Sequence, residues 1–107
     1  MLSREDYIKR VTVLGQYCYP KRGEETALTV FSCLKKVLPD ESVQDILELL
    51  PEPVKGLWED SPSNGIFRNV DCITLAKELG NYPYRAAAEK AFEVVFASIR
   101  EILDHDK

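Results

Sequence analysis

Apolar positions along this chain recur at helical spacing. Tyr7, Ile8, Val11 and Leu14 fall on one side of a helix, and Ala27, Val30, Phe31, Leu34, Val37 and Leu38 draw a second, longer stripe. Val43, Ile46, Leu47 and Leu50 make a third stripe within ESVQDILELL. Further on, Cys72, Ile73, Ala76 and Leu79 repeat the first spacing, while Phe92, Val95, Phe96, Ile99, Ile102 and Leu103 repeat the second. Each long stripe predicts an amphipathic helix of about four to five turns with one face to bury.

The residues between the stripes supply starts and stops. Ser3-x-x-Asp6 has the form of a capping box, and Asn69 is placed to cap the matching helix later in the chain. Gly15 and Gly80 stand just past the last apolar residue of their helices, where a left-handed terminal residue belongs. Asp40 is placed to cap the third helix and Pro51 to stop it; Pro53 suits the first turn of a short helix bearing Val54, Leu57 and Trp58. Residues 59–68, EDSPSNGIFR, carry the Pro, Ser, Asn and Gly of a linker.

LGQYCYP and LGNYPYR are two views of one arrangement. An ungapped offset of 65 residues aligns Asp6 with Asp71, Ile8 with Ile73, Gly15 with Gly80, Tyr17 with Tyr82 and Tyr19 with Tyr84. It also aligns Glu24 with Glu89, Val30 with Val95, Phe31 with Phe96 and Leu38 with Leu103, and sets Lys35 against Arg100. One register that matches both helix faces and loops predicts an internal repeat: a first unit over 4–58, a linker over 59–68 and a truncated second unit over 69–105. The expected fold is a single all-α domain over 1–107, a bundle of about five to six helices with the units related by a pseudo-twofold axis. The second unit lacks a copy of ILELLPEPVKGLW, so an apolar groove is expected where that copy would lie.

Tyr7-x-x-x-Val11-x-x-x-Gly15, Glu24-Glu25-x-Ala27, Leu34 through Leu38, and Leu50-Pro51-x-x-Val54-x-x-Leu57-Trp58 resemble the pattern of a bacterial family of small two-repeat helical proteins, known mainly as a domain of unknown function. Ile73 to Gly80 and Ala87 to Leu103 match its second copy. The resemblance implies the fold and brings no activity. This chain departs from it in lacking the second Leu-Pro segment.

Composition narrows the function classes. The net charge is −4, with seven acids between residues 40 and 60 (Asp40, Glu41, Asp45, Glu48, Glu52, Glu59 and Asp60) against Lys55 alone. No dense basic stripe is present, which argues against nucleic acid as a partner. No apolar run reaches the about 18 residues of a membrane span, and the charged start MLSREDYIKR lacks the apolar stretch of a secretory signal, so a cytoplasmic location is expected.

Chemistry-bearing patterns are sparse. Cys18, Cys33 and Cys72 are widely spaced beside one histidine, His105, which does not make a zinc set; free thiols are expected. Glu24, Glu25, Glu89 and Glu93 lack the Glu-x-x-His pairing of di-metal bundles. Ser32-x-x-Lys35 has the spacing of a serine acyl enzyme without its companion segments, and no glycine-rich phosphate loop occurs. The sequence therefore predicts no enzyme, no metal and no cofactor.

What remains is surface. Tyr17, Tyr19, Tyr82 and Tyr84 either plug the end of the bundle or form a paired aromatic face. In an extended loop the two rings of a pair point opposite ways, so that one plugs and the other is free. With Asp40, Glu41, Asp45 and Glu48 they form the candidate partner surface. Trp58, at the end of a run of Leu and Val, is expected in the core. The leading expectation is a non-catalytic module that binds a protein partner or forms a homo-oligomer. The alternative is a bundle holding an apolar small ligand or lipid between Phe31, Phe96, Leu34 and Ile99.

Overall fold

Helix α1, Arg4–Gly15, opens on Ser3: the Ser3 hydroxyl accepts from the Asp6 amide at 3.1 Å and the Asp6 carboxylate accepts from the Ser3 amide at 3.3 Å. That is the capping box expected from the sequence, and these hydrogen bonds hold the Asp6 carboxyl below its ordinary pKa. Five helices follow: α2 Pro20–Val37, α3 Asp40–Leu49, α4 Glu52–Asp60, α5 Cys72–Leu79 and α6 Arg85–His105. The structure is a computed structural model. It describes residues 3–61, 72–80 and 82–105, and the linker centre and Asn69 lie outside these.

Prolines set the breaks. Leu38 and Leu50 each precede a proline and adopt extended backbone, with ψ of 151° and 141°, which ends α2 and α3. Pro20 and Pro53 sit in the first turns of α2 and α4, where a missing amide costs nothing. Two expectations are corrected. Asp40 is not the cap of α3; Pro39 flanks that helix, and Asp40 is its first helical residue, where its charge favours the helix dipole. Glu59 and Asp60 are not linker, because α4 runs through Asp60.

The fold is an all-α bundle. Helix α2 is its centre and packs on α1, α4, α5 and α6, while α3 touches α2 from outside and buries none of its residues. Tyr7, Val11, Ala27, Val30, Phe31, Val54, Leu57, Ala76, Ala88, Ala91 and Val95 are fully enclosed, and Trp58 is nearly so, as expected. The Trp58 ring lies 5.3 Å from that of Phe31 at 55°, a tilted aromatic contact between α4 and α2. Across α1 and α6 the Tyr7 and Ser98 hydroxyls meet at 2.8 Å, and Ser98 lies 2.6 Å from the Val95 carbonyl. Ser98 has one proton to give, so the chain Tyr7 to Ser98 to Val95 satisfies all three buried groups. At the surface, Arg10 grips Glu101 with two bonds of 2.7 and 2.8 Å, and Arg4 reaches Asp60.

The two glycines of the repeated motif act differently from expectation. The left-handed residue ending α1 is Gln16, with φ 56°, and Gly15 is helical. A β-carbon on Gly15 would collide with the ring of Tyr17, and one on Gly80 with the ring of Tyr82. Glycine is needed there to let an aromatic ring lie on the helix backbone. In both turns the amide of that tyrosine closes the helix: Tyr17 donates to the Thr12 carbonyl at 2.9 Å and Tyr82 to that of Lys77 at 3.0 Å.

Candidate interaction site

The turns between α1 and α2 and between α5 and α6 sort the four tyrosines by position. Tyr82 is buried; its hydroxyl donates to Thr26 Oγ1 at 3.3 Å and the Arg22 guanidinium stands 4.9 Å over its ring. Burial raises its pKa. Tyr17 is half-buried, with its hydroxyl fully enclosed and without a partner among the described residues, and Lys90 Nζ lies 5.7 Å from its ring. Tyr19 and Tyr84 stay 58% and 61% exposed. The first tyrosine of each pair thus plugs and the second is free. Tyr82 is withdrawn from the candidate partner surface, and Tyr17 offers it only a ring edge.

The free tyrosines border different grooves. Tyr19 lines one of about 700 Å³ with Leu28, Thr29, Lys36 and Leu79, and Tyr84 lines another of about 490 Å³ with Tyr17, Pro83, Ala87 and Lys90. Arg22 borders both. The acids Asp40, Glu41, Asp45 and Glu48 are all exposed on α3. Helix α2 has 18 residues, so Tyr19 and Asp40 are separated by about 27 Å along its axis. The predicted surface is therefore at least two separate regions.

A third region, on α6, emerges from comparing matched positions. Phe31 is wholly buried beneath Trp58, whereas Phe96, 65 residues on, is 44% exposed, with the Phe92 ring 5.9 Å away. Leu103 is also 44% exposed, while its match Leu38 is half-buried. Phe96 and Leu103 were expected on a buried stripe. They are not enclosed because the burial at Phe31 comes from α4, and α6 packs instead on α1, α2 and α5 through its other face. Ile99 and Arg100 complete this face, Ile99 half-buried and Arg100 exposed.

The α2 face shows how such a surface is covered. Lys35 Nζ donates to the Trp58 carbonyl at 2.6 Å, the Ser61 carbonyl at 2.9 Å and Ser61 Oγ at 3.0 Å, which uses all three ammonium protons at the carbonyl end of α4. Nζ also stands 5.7 Å from the Trp58 ring. Burial lowers the Lys35 pKa, with Glu59 and Asp60 opposing the shift. Sequence reasoning missed this clasp. The available signal was a lysine standing among the apolar stripe of Phe31, Leu34 and Leu38, matched by Arg100.

The other chemical candidates stay apart. Among the described residues no three His, Cys, Asp or Glu side chains gather closely enough to hold a metal. The three cysteines are free thiols, Cys18 exposed, Cys72 half-buried and Cys33 buried, and burial pushes the Cys33 pKa up to about 12. His105 is the last helical residue of α6 and its side chain lies outside the described residues. Among the described residues no helix is long and apolar enough to cross a membrane. No protein-family model, curated protein or solved structure matches this chain.

Proposed function

We propose that this chain is a non-catalytic helical interaction module made of two units offset by 65 residues, and that the face of α6 carrying Phe96, Arg100 and Leu103 is where it meets a protein. The contrast between Phe31, fully buried, and Phe96, 44% exposed, carries this reading. Two large apolar side chains left on one helix face gain free energy only when another surface covers them. The apolar-ligand alternative draws less support, since Val30, Phe31 and Trp58 fill the space between helices that a ligand would need.

An apolar-dye titration alongside sedimentation equilibrium tests it. The chain should enhance dye fluorescence or self-associate with concentration, and Phe96→Glu should abolish either signal while leaving the circular dichroism spectrum intact. A monomer at millimolar concentration that leaves the dye dark would refute an open interaction face.

A further inference from the structure

We infer that the α6 face receives one amphipathic helix, supplied by a partner, with the chemistry of this chain's own α4: an aromatic residue in its last turn and acids at its carbonyl end. The inference rests on the interaction reading above and names the occupant of the same face. It comes from how α2 is already covered. Trp58 lies on Phe31 at 5.3 Å, and Lys35 clasps the Trp58 and Ser61 carbonyls. Glu59 and Asp60 stand close enough to Lys35 to oppose the lowering of its pKa.

The offset of 65 residues carries each element of that contact to α6. Phe96 takes the place of Phe31, Ile99 of Leu34, Arg100 of Lys35 and Leu103 of Leu38. An apolar side chain stands at every apolar position and a cation at the cationic one. The last carbonyls of a helix lack intrahelical donors and form the negative end of its dipole. A cation beside an aromatic platform therefore suits a helix that ends there in acids. Arg100 is exposed and has no ion-pair or hydrogen-bond partner among the described residues, so its guanidinium is free for that role. Guanidinium carries five donors where the ammonium has three, which makes it at least as able to gather two carbonyls and a carboxylate.

Second-copy pairing is the competing occupant. It would place Arg100 near Glu93 of an antiparallel neighbour and leave no group to take the role that the α4 carbonyls have for Lys35. The charge pattern favours the helix.

The probe is a fluorescent synthetic peptide spanning residues 50–61, LPEPVKGLWEDS, titrated with the full chain and read by anisotropy. Saturable binding is expected. Phe96→Asp should weaken it by about tenfold or more, the worth of one buried phenylalanine. Arg100→Glu should weaken it severalfold and flatten its salt dependence, and Trp58→Ala within the peptide should abolish it. Both protein substitutions lie on exposed positions, and unchanged melting temperatures confirm the fold. Absence of saturable binding overturns the inference, as does equal affinity for the Phe96→Asp protein, which would mean exchange with α4 on the α2 face. Dimerisation that Phe96→Asp abolishes, without peptide binding, assigns the face to a second copy. Dye binding that depends on Phe96, again without peptide binding, sinks this inference and leaves the interaction reading standing.

Discussion

Removing one hydroxyl from each plugging tyrosine should move stability in opposite directions. The Tyr17 hydroxyl is enclosed and has no partner among the described residues, so the folded state bears its desolvation without a compensating bond. An unsatisfied buried hydroxyl costs about 1–3 kcal/mol. Tyr17→Phe keeps the ring against Gly15 and should stabilise the chain by about 1 kcal/mol, the low end because the ring is only half-buried. The Tyr82 hydroxyl reaches Thr26 Oγ1 at 3.3 Å, long for an O–H···O bond and worth about 0.5–1 kcal/mol. Tyr82→Phe removes it and leaves the buried Thr26 hydroxyl to find another partner, so that variant should lose about 1 kcal/mol. The gap of about 2 kcal/mol equals roughly 8 °C between the melting temperatures of the two variants in a chain of this size. Urea unfolding followed by circular dichroism reads the same difference as a shift in midpoint at constant slope. If Tyr17→Phe destabilised the chain as much as Tyr82→Phe does, the Tyr17 hydroxyl would have a partner, such as an enclosed water, and the asymmetry argued here would be wrong.

Four other outcomes can be checked with the same unfolding measurements. Lys35→Met keeps the aliphatic stem but frees three acceptors at the end of α4, and should cost about 1–3 kcal/mol; a neutral result would show that water serves those carbonyls as well. A β-carbon on Gly23 would strike Thr12 Oγ1 and lie 3.1 Å from the Ile8 carbonyl, so Gly23→Ala should lose about 1 kcal/mol after its helix-propensity gain, and Thr12→Ala in the same chain should recover part of it; strictly additive losses would count against the collision. Phe31→Ala should cost about 3–5 kcal/mol and Phe96→Ala about 1 kcal/mol or less, and equal costs would deny that α6 is open. Stability should also fall in alkali. Burial raises the Cys33 thiol from its ordinary 9.0 and the Tyr7 phenol from 10.0, each to about 12, so the folded chain keeps protons that the unfolded chain has released. Stability is then complete below about pH 9 and declines by about 1.4 kcal/mol per pH unit for each such group up to its folded value; Cys33→Ala should remove the part between pH 9 and 10, and a flat urea midpoint up to pH 10.5 would contradict both shifts.

Helix existence and type were legible in the sequence because each stripe repeats at helical spacing over several turns, and because prolines at 20, 39, 51 and 53 fall at helix boundaries. The Ser3–Asp6 box was legible for the same reason: both of its bonds are local. The functions of individual residues at long range were not. Gly15 looks like a terminal residue until the Tyr17 ring is seen lying on it, and Asp40 looks like a cap although Pro39 already fixes extended backbone before the helix. Lys35 looks like a solvated charge, since nothing local says that α4 folds back to end at its ammonium. The candidate site divided along the same line. Alternation within Tyr-x-Tyr separated the plugging ring from the free one, but periodicity on α6 marks Phe96 and Leu103 as apolar without saying whether anything covers them.

That last gap is physical, because an apolar stripe is a property of one helix and burial a property of two. On α2 the stripe is completed by α4, and the contact joins an aromatic pair, which is non-directional in most of its free energy, to a lysine clasp, which is directional. The first element supplies most of the stability and the second fixes where the covering helix must end. On α6 both halves are present without a cover: Phe96 and Leu103 supply area, and Arg100 supplies a donor that can distinguish the carbonyl end of a helix from its amide end. Apolar area alone would favour any greasy surface. Area joined to a placed cation selects one orientation of one kind of secondary structure, and that is why the α6 face is read as a site for a particular helix rather than as a sticky patch.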